Sequence, residues 1–195
     1  MLQDQLKNYN LILASGSPRR KQFLMDMELD FEIRVKSVEE SYPEHLEGGD
    51  ISDFLAKLKA EPLKESLSSK DILLTSDTVV WHNNKSLAKA SNEIEAADML
   101  ETMSGDWHQV ITSVCFTTTE VQKIVRQVTE VKFAKLSRKE IDHYISTFKP
   151  YDKAGAYGIQ EWIGLVGIEE IRGSYTNVVG LPTQLVYTTL YEMTK

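Results

Sequence analysis

The sequence predicts an α/β protein: a mixed, strongly twisted sheet in two lobes, with flanking helices and a central groove. Three observations carry that expectation. Short apolar runs alternate with amphipathic helical stretches through the first half of the chain. Two long β-branched runs, Val110–Thr119 and Ile124–Ala134, lie side by side in the middle. Helical spacing then returns over Pro182–Met193. A length of 195 residues suits one domain, residues 1–195, built of two lobes. The groove between lobes is the expected ligand site.

Each element has its own local reason. Leu11–Ala14 is a short apolar strand ending in small residues. Pro18 fits the first turn of a helix over Pro18–Met27. Phe31–Val35 alternates apolar and charged residues, as a second strand does. Ser37–Asp50 is polar and acidic, with Pro43, Gly48 and Gly49, and reads as a loop. From Ser52 a helix brings Phe54, Leu55 and Leu58 onto one face, and Pro62 should kink or end it. Asp71–Val80 is a strand, His82–Lys85 a hairpin turn, and Ser86–Ala88 the returning strand. Asn92–Met103 is an amphipathic helix with Ile94, Ala97 and Leu100 facing in. The two β-branched runs should pair. Ser137 and Glu140 form a capping box for a helix over Ser137–Thr147. Tyr151–Gln160 and Ser174–Gly180 read as loops, the apolar Trp162–Gly167 as a strand, and Pro182–Met193 as the last helix.

Composition excludes several classes. Hydrophobic residues at 42% and charged residues at 26% are ordinary for a globular protein. No apolar run reaches the about 18 residues of a membrane span. The polar Met1–Asn10 does not read as a signal peptide. The single cysteine, Cys115, sits in an apolar run; it suits a packing role and a reducing cytoplasm. A net charge of −7 argues against general nucleic-acid binding. His45, His82, His108 and His143 have no zinc-site spacing and should sit on the surface or in ordinary hydrogen bonds.

The candidate chemistry begins at Ser15-Gly16-Ser17-Pro18-Arg19-Arg20, a strand–turn–helix junction. Backbone N–H groups at a helix start favour an anion, and two arginines add forked donors that match phosphate oxygens. Four further features could face the same groove: Lys59, Asp77 within Ser76-Asp77-Thr78, Lys89, and the Asp152–Gln160 string. A carboxylate among Leu73, Leu74, Val79 and Val80 is costly to bury unpaired. Asp77 is therefore a general base at a groove, a metal ligand, or a salt-bridged strand carboxylate.

Together these residues resemble the Maf family of nucleoside triphosphate pyrophosphatases, from Leu11 to about Leu190. Ser15–Arg20 is similar to its N-terminal signature, Leu55–Ala60 to its lysine-bearing helix, and Ser76–Val80 to its acidic strand. Asp152–Gln160, Gly173-Ser174-Tyr175 and Val179–Pro182 complete the set in order. The resemblance implies a Maf/ITPase-like fold and hydrolysis of a nucleoside triphosphate to monophosphate and pyrophosphate. It implies Asp77 as general base, with Glu40 and Asp77 holding a divalent cation, Mg2+ or Mn2+. Ser15, Arg19, Arg20, Lys59 and Lys89 would then bind phosphates. The branch acting on dTTP and UTP is similar in Arg19, Thr78 and the Ala-Tyr-Gly-Ile-Gln string, which implies base selection by Arg19, Thr78 and Gln160. The Gln160 amide, with a donor and an acceptor, suits a thymine or uracil edge. House-cleaning of modified pyrimidine nucleotides and a homodimer follow from the same likeness, while the cytoplasmic location rests on the single cysteine. A non-catalytic nucleotide-binding regulator of cell division and a purine (ITP/XTP-type) pyrophosphatase are the alternatives. The chain departs from the family at Pro62, at Ala90 and at Glu161-Trp162.

Overall fold

The computed structural model describes residues 1–195. Helix α1 (Leu2–Leu6) leads into strand β1 (Asn10–Leu13), helix α2 (Pro18–Asp26) and the two-residue strand β2 (Glu32–Ile33). Helix α3 (Gly49–Lys64) precedes the hairpin of β3 (Asp71–His82) and β4 (Lys85–Leu87). Helix α4 (Glu93–Met103) then gives way to β5 (Trp107–Thr117) and β6 (Gln122–Phe133). Helices α5 (Arg138–Phe148) and α6 (Trp162–Gly167), strand β7 (Ile168–Arg172), and helices α7 (Tyr175–Val179) and α8 (Thr183–Met193) finish the chain.

All seven strands join one mixed sheet, ordered β2-β1-β3-β5-β6-β7, with β4 also on β3. The β1 pairings with β2 and β3 are parallel, which requires the crossovers that α2 and α3 supply. From β3 through β5 and β6 to β7 the pairings are antiparallel. The hairpin of β3 and β4 turns at Asn83 and Asn84, both at positive φ, as a tight two-residue turn demands.

Strand β3 organises the molecule. One edge pairs with β5 from Leu73 to Trp81. The other pairs with β1 over Asp71–Leu74 and with β4 over Val80–His82. Between them, residues 75–79 have no strand neighbour on that edge. A core of Leu2, Leu13, Leu24, Leu74, Phe116 and Leu190 packs near one end of β3. A larger one, with Val80, Leu100, Met103, Phe133, Tyr144 and Tyr157, packs near the other.

Several expectations change. Trp162–Gly167 is helical, not a strand: Ile163 and Gly167 are buried one turn apart, while Leu165 and Val166 are exposed. The strand there is the following acidic segment, β7, on the sheet edge. Ser174–Gly180 is not a plain loop; Ser174 Oγ accepts from Asn177 N–H and caps α7. Ile94 does not face in but is 74% exposed, in the first turn of α4, while Ala97 and Leu100 are buried. Phe31–Val35 contributes only Glu32 and Ile33 to the sheet. The helix starting at Ser52 begins three residues earlier, at Gly49, and Pro62 lies in its last turn. Cys115 is fully buried, and burial pushes its thiol pKa up. His82 and His108 are buried, bonded to Asp106 and to the Tyr157 hydroxyl at 3.1 and 2.7 Å. No helix is long and apolar enough to cross a membrane.

Candidate active site

The open edge of β3 is the floor of a groove. On one side, β1 ends at Leu13 and the chain turns through Ser15 into α2. Ser15 Oγ accepts the Ser17 N–H at 3.2 Å, and Ser17 Oγ caps α2 by accepting the Arg20 N–H at 3.4 Å. The α2 N-terminus lines a polar cavity of about 380 Å3, which favours an anion there. On the other side, the hairpin strand β4 stops at Leu87. Pairing that continued in register would set Lys89 opposite Thr78. Instead, Lys89 leaves β3 and makes a bridge to Ala154. Gly155 N–H holds the Leu87 and Ala88 carbonyls at 2.9 and 3.1 Å. Gly155 needs its φ of +67°, and a Cβ there would meet the Val80 side chain at 3.0 Å.

The polar cavity is lined by the cations Arg19, Arg20, Lys36, Lys59 and Lys89 and by the acids Glu40 and Asp152. A chain of net charge −7 therefore gathers positive charge locally. A second cavity, about 400 Å3, shares Arg19, Glu40, Lys59 and Lys89 and continues between apolar walls that include Leu55, Val79, Val110, Tyr157 and Val179. Asp77 and Thr78 also line it.

Asp77 is 7% exposed. Lys59 Nζ lies 2.6 Å from Asp77 Oδ1 and 3.2 Å from Glu40 Oε1. The carboxylate is thus salt-bridged and groove-facing at once. No group of three or more His, Cys, Asp or Glu side chains that could hold a metal ion is present. Glu40 and Asp77 are the two carboxylates that converge, with Lys59 between them.

Arg20 lines both cavities, and its guanidinium is also engaged by the protein. Its Nε donates to Gly180 O at 2.9 Å, Nη1 to Ser76 O at 2.7 Å and Ser15 Oγ at 3.4 Å, and Nη2 to Thr78 Oγ1 at 3.1 Å. Burial lowers its pKa from the ordinary arginine value, with Asp77 opposing. With most of its donors on protein acceptors, it staples the groove walls together. Arg19 bonds Val179 O at 3.1 Å and Asp152 at 3.4 Å, and lines both cavities. Ser15 and Lys89 also reach the polar cavity, as their motifs suggested.

Gln160 is not brought to the groove. Gly155 and Ala156 both take positive φ, and the turn buries Ala156, Tyr157 and Ile159. Gln160 is left exposed and lines neither cavity. Tyr157 stands in the apolar wall instead.

Sequence reasoning missed Lys36 and gave Lys153, within the Asp152–Gln160 string, no role of its own. Lys36 Nζ donates to Pro62 O at 2.8 Å, satisfying a carbonyl at the end of α3. Lys153 is 8% exposed and bonds Asp152 and Glu161 at 2.7 and 2.9 Å. Glu161 in turn accepts from the Tyr144 hydroxyl, which accepts Gly158 N–H at 3.0 Å. The unusual glutamate after Gln160 was the available signal.

A strand-edge groove, cationic at one end and apolar at the other, defines an α/β protein whose site suits a flat group joined to a polyanion. The model of the Maf-like protein family matches residues 10–193, so the chain belongs to the Maf family. It is 54% identical to a dTTP/UTP pyrophosphatase of Flavobacterium johnsoniae, over 96% of each chain. A dTTP/UTP pyrophosphatase of Christiangramia forsetii is 52% identical over 99% of this chain and 98% of its own. One of Bacteroides fragilis is 46% identical over 96% and 98%.

Proposed function

We propose that this protein is a nucleoside triphosphate pyrophosphatase that hydrolyses dTTP and UTP to the monophosphate and pyrophosphate. The observation that carries the reading is Asp77, paired with Lys59, where a cationic cavity meets an apolar one. The identity to relatives named as dTTP/UTP pyrophosphatases supports the substrate.

In this reading the triphosphate lies in the polar cavity and the nucleoside between the apolar walls. That puts the α-phosphate near Asp77. The carboxylate accepts a proton from the attacking water, and pyrophosphate leaves from the opposite side of the α-phosphorus. Lys59, Arg19, Lys89 and the α2 amides neutralise the charge that develops on the leaving pyrophosphate. Ser15 Oγ is a further contact for a phosphate. Arg20 acts indirectly, by holding Ser15, Ser76 and Thr78 in place.

Glu40 and Asp77 are the residues that would hold a divalent cation. These two carboxylates, which Lys59 bridges in this structure, are a donor set that suits Mg2+ or Mn2+, because magnesium commonly takes one or two carboxylates and completes its shell with phosphate oxygens and water. When bound, the ion neutralises phosphate charge. Residues 1–195 act as one catalytic domain in this reading, its two lobes the walls of the groove, with modified pyrimidine nucleotides among the substrates. The compartment is the cytoplasm, which the lone reduced Cys115 suits. A homodimer is the proposed assembly.

The test is product analysis. Purified protein with Mg2+ or Mn2+ is given dTTP, UTP, dCTP and ITP in turn. Pyrophosphate and monophosphate should accumulate fastest from dTTP and UTP. Release of inorganic phosphate instead, or preference for ITP, overturns the reading.

A further inference from the structure

Thr78 is held by a hydrogen-bond chain whose two ends have only one possible polarity. At one end, Arg20 Nη2 lies 3.1 Å from Thr78 Oγ1, and a guanidinium can only donate. At the other, Thr112 Oγ1 lies 3.2 Å from the backbone carbonyl of Asn177, which can only accept. That carbonyl also takes the Gly180 N–H at 3.0 Å, so Thr112 fills its second acceptor site. The hydroxyl oxygens of Thr78 and Thr112 are 3.0 Å apart. With the Thr112 proton on Asn177 O, the proton of this bond comes from Thr78.

The carbonyl end is rigid. Asn177 is fully buried, and its Nδ2 donates to Val110 O and Thr129 Oγ1 at 2.9 and 2.8 Å. Thr112 is fully buried as well. Thr78 lines the apolar cavity. Its hydroxyl proton is committed to Thr112 and one lone pair to Arg20, so what remains for the groove is a single acceptor.

We propose that Thr112 is a positioning residue for base selection: it orients the Thr78 hydroxyl so that the groove meets an acceptor, which receives N3–H of thymine or uracil. The proposal rests on the pyrimidine triphosphate reading above. Cytosine has a bare lone pair at N3, so the same oriented hydroxyl faces it acceptor to acceptor. The backbone of Thr78 does not discriminate in this way, because an N–H and a C=O together can serve either ring. Thr112 touches no substrate; it acts through Thr78.

The experiment compares kcat/KM for dTTP and dCTP in the parent, Thr112→Val and Thr112→Ser. Removing the Thr112 hydroxyl leaves the Thr78 proton free to turn toward the groove and donate to cytosine N3. Thr112→Val should therefore lower the dTTP-to-dCTP ratio by about tenfold or more, in part through a rise in dCTP turnover. Thr112→Ser keeps the hydroxyl and should keep the parent ratio. A rise on the wrong substrate is something that loosened packing alone would not produce. If Thr112→Val does not fold, Thr112→Ala removes the same hydroxyl and is held to the same result. An unchanged ratio without the hydroxyl, or a serine variant that loses selectivity, overturns the proposal while the pyrimidine reading stands. A parent that releases no pyrophosphate from dTTP overturns both.

Discussion

Replacing Asp77 by asparagine tests the centre of the mechanism. The change keeps the side chain's shape and one oxygen for Lys59 Nζ, now 2.6 Å away, as a neutral acceptor. It removes the proton acceptor and a negative charge. Cutting a fully buried ion pair costs roughly 3–5 kcal/mol because a lone charge is left behind. The cost here stays below that, because Lys59 keeps Glu40 at 3.2 Å and its side chain is 17% exposed. The variant should fold, and its thermal midpoint should lie within a few degrees of the parent. Turnover behaves differently: a positioned general base contributes about a hundredfold to ten-thousandfold. Pyrophosphate release at saturating dTTP should fall by at least about a hundredfold. Calorimetric titration should still detect the triphosphate, because Arg19, Lys59 and Lys89 remain. Turnover within about threefold of the parent would mean that Asp77 only salt-bridges Lys59, and the assignment of the base would be refuted.

Other perturbations separate the groove's parts. Arg20→Ala strands Ser76 O and Gly180 O; it should cost about 2 kcal/mol or more, read as a lowered midpoint in urea, and a parent-like midpoint would contradict the staple. Lys89→Ala should leave that midpoint nearly unchanged, and Arg19→Ala, which strands the single carbonyl of Val179, should lower it less than Arg20→Ala; each should weaken kcat/KM for dTTP by about tenfold, with a shallower salt dependence than the parent in steady-state assays. Gly155→Ala, at φ +67° and against Val80, should destabilise by about 1 kcal/mol or more and slow turnover, both checked on one preparation. Burial pushes the His108 pKa down to about 3 from an ordinary 6.5. Its contribution to stability is therefore full above pH 6.5 and is lost as pH falls toward 3, at up to about 1.4 kcal/mol per pH unit. Denaturant titrations between pH 7 and pH 4 should show a flatter decline in His108→Gln than in the parent, and identical slopes would count against a neutral buried imidazole.

The parts of this molecule legible in its sequence are those with local causes. Pro18 and the pair Ser137 and Glu140 announce their helices: Pro18 opens α2, where Ser17 caps, and the Ser137–Glu140 capping box forms as expected. The β-branched runs pair along their length. Trp162–Gly167 misled because a short apolar run has no clear period, and burial at Ile163 and Gly167 decides it as a helix. Ile94 misled because the first turn of α4 overhangs the core. At the site, Lys59 and Asp77 meet as their motifs suggested. The division of labour between Arg19 and Arg20 was not legible. Adjacent helix residues point about 100° apart, and only the tertiary surroundings decide which one meets carbonyls. Gln160 was not legible either, since positive φ at an alanine, Ala156, carries no sequence signal.

The stretch of β3 between its pairings with β1 and β4 has a mechanical meaning. A central strand with an unpaired edge is a place where another extended backbone would dock, and proteins usually cover such edges. Here the hairpin unzips early and the loop at Gly155 draws Leu87 and Ala88 aside. The opening is as long as the distance by which the zipper falls short. Two more rungs would bring Lys89 beside Thr78 and leave no room for a guest. Where one short hairpin stops thus decides how much of β3 a guest can reach.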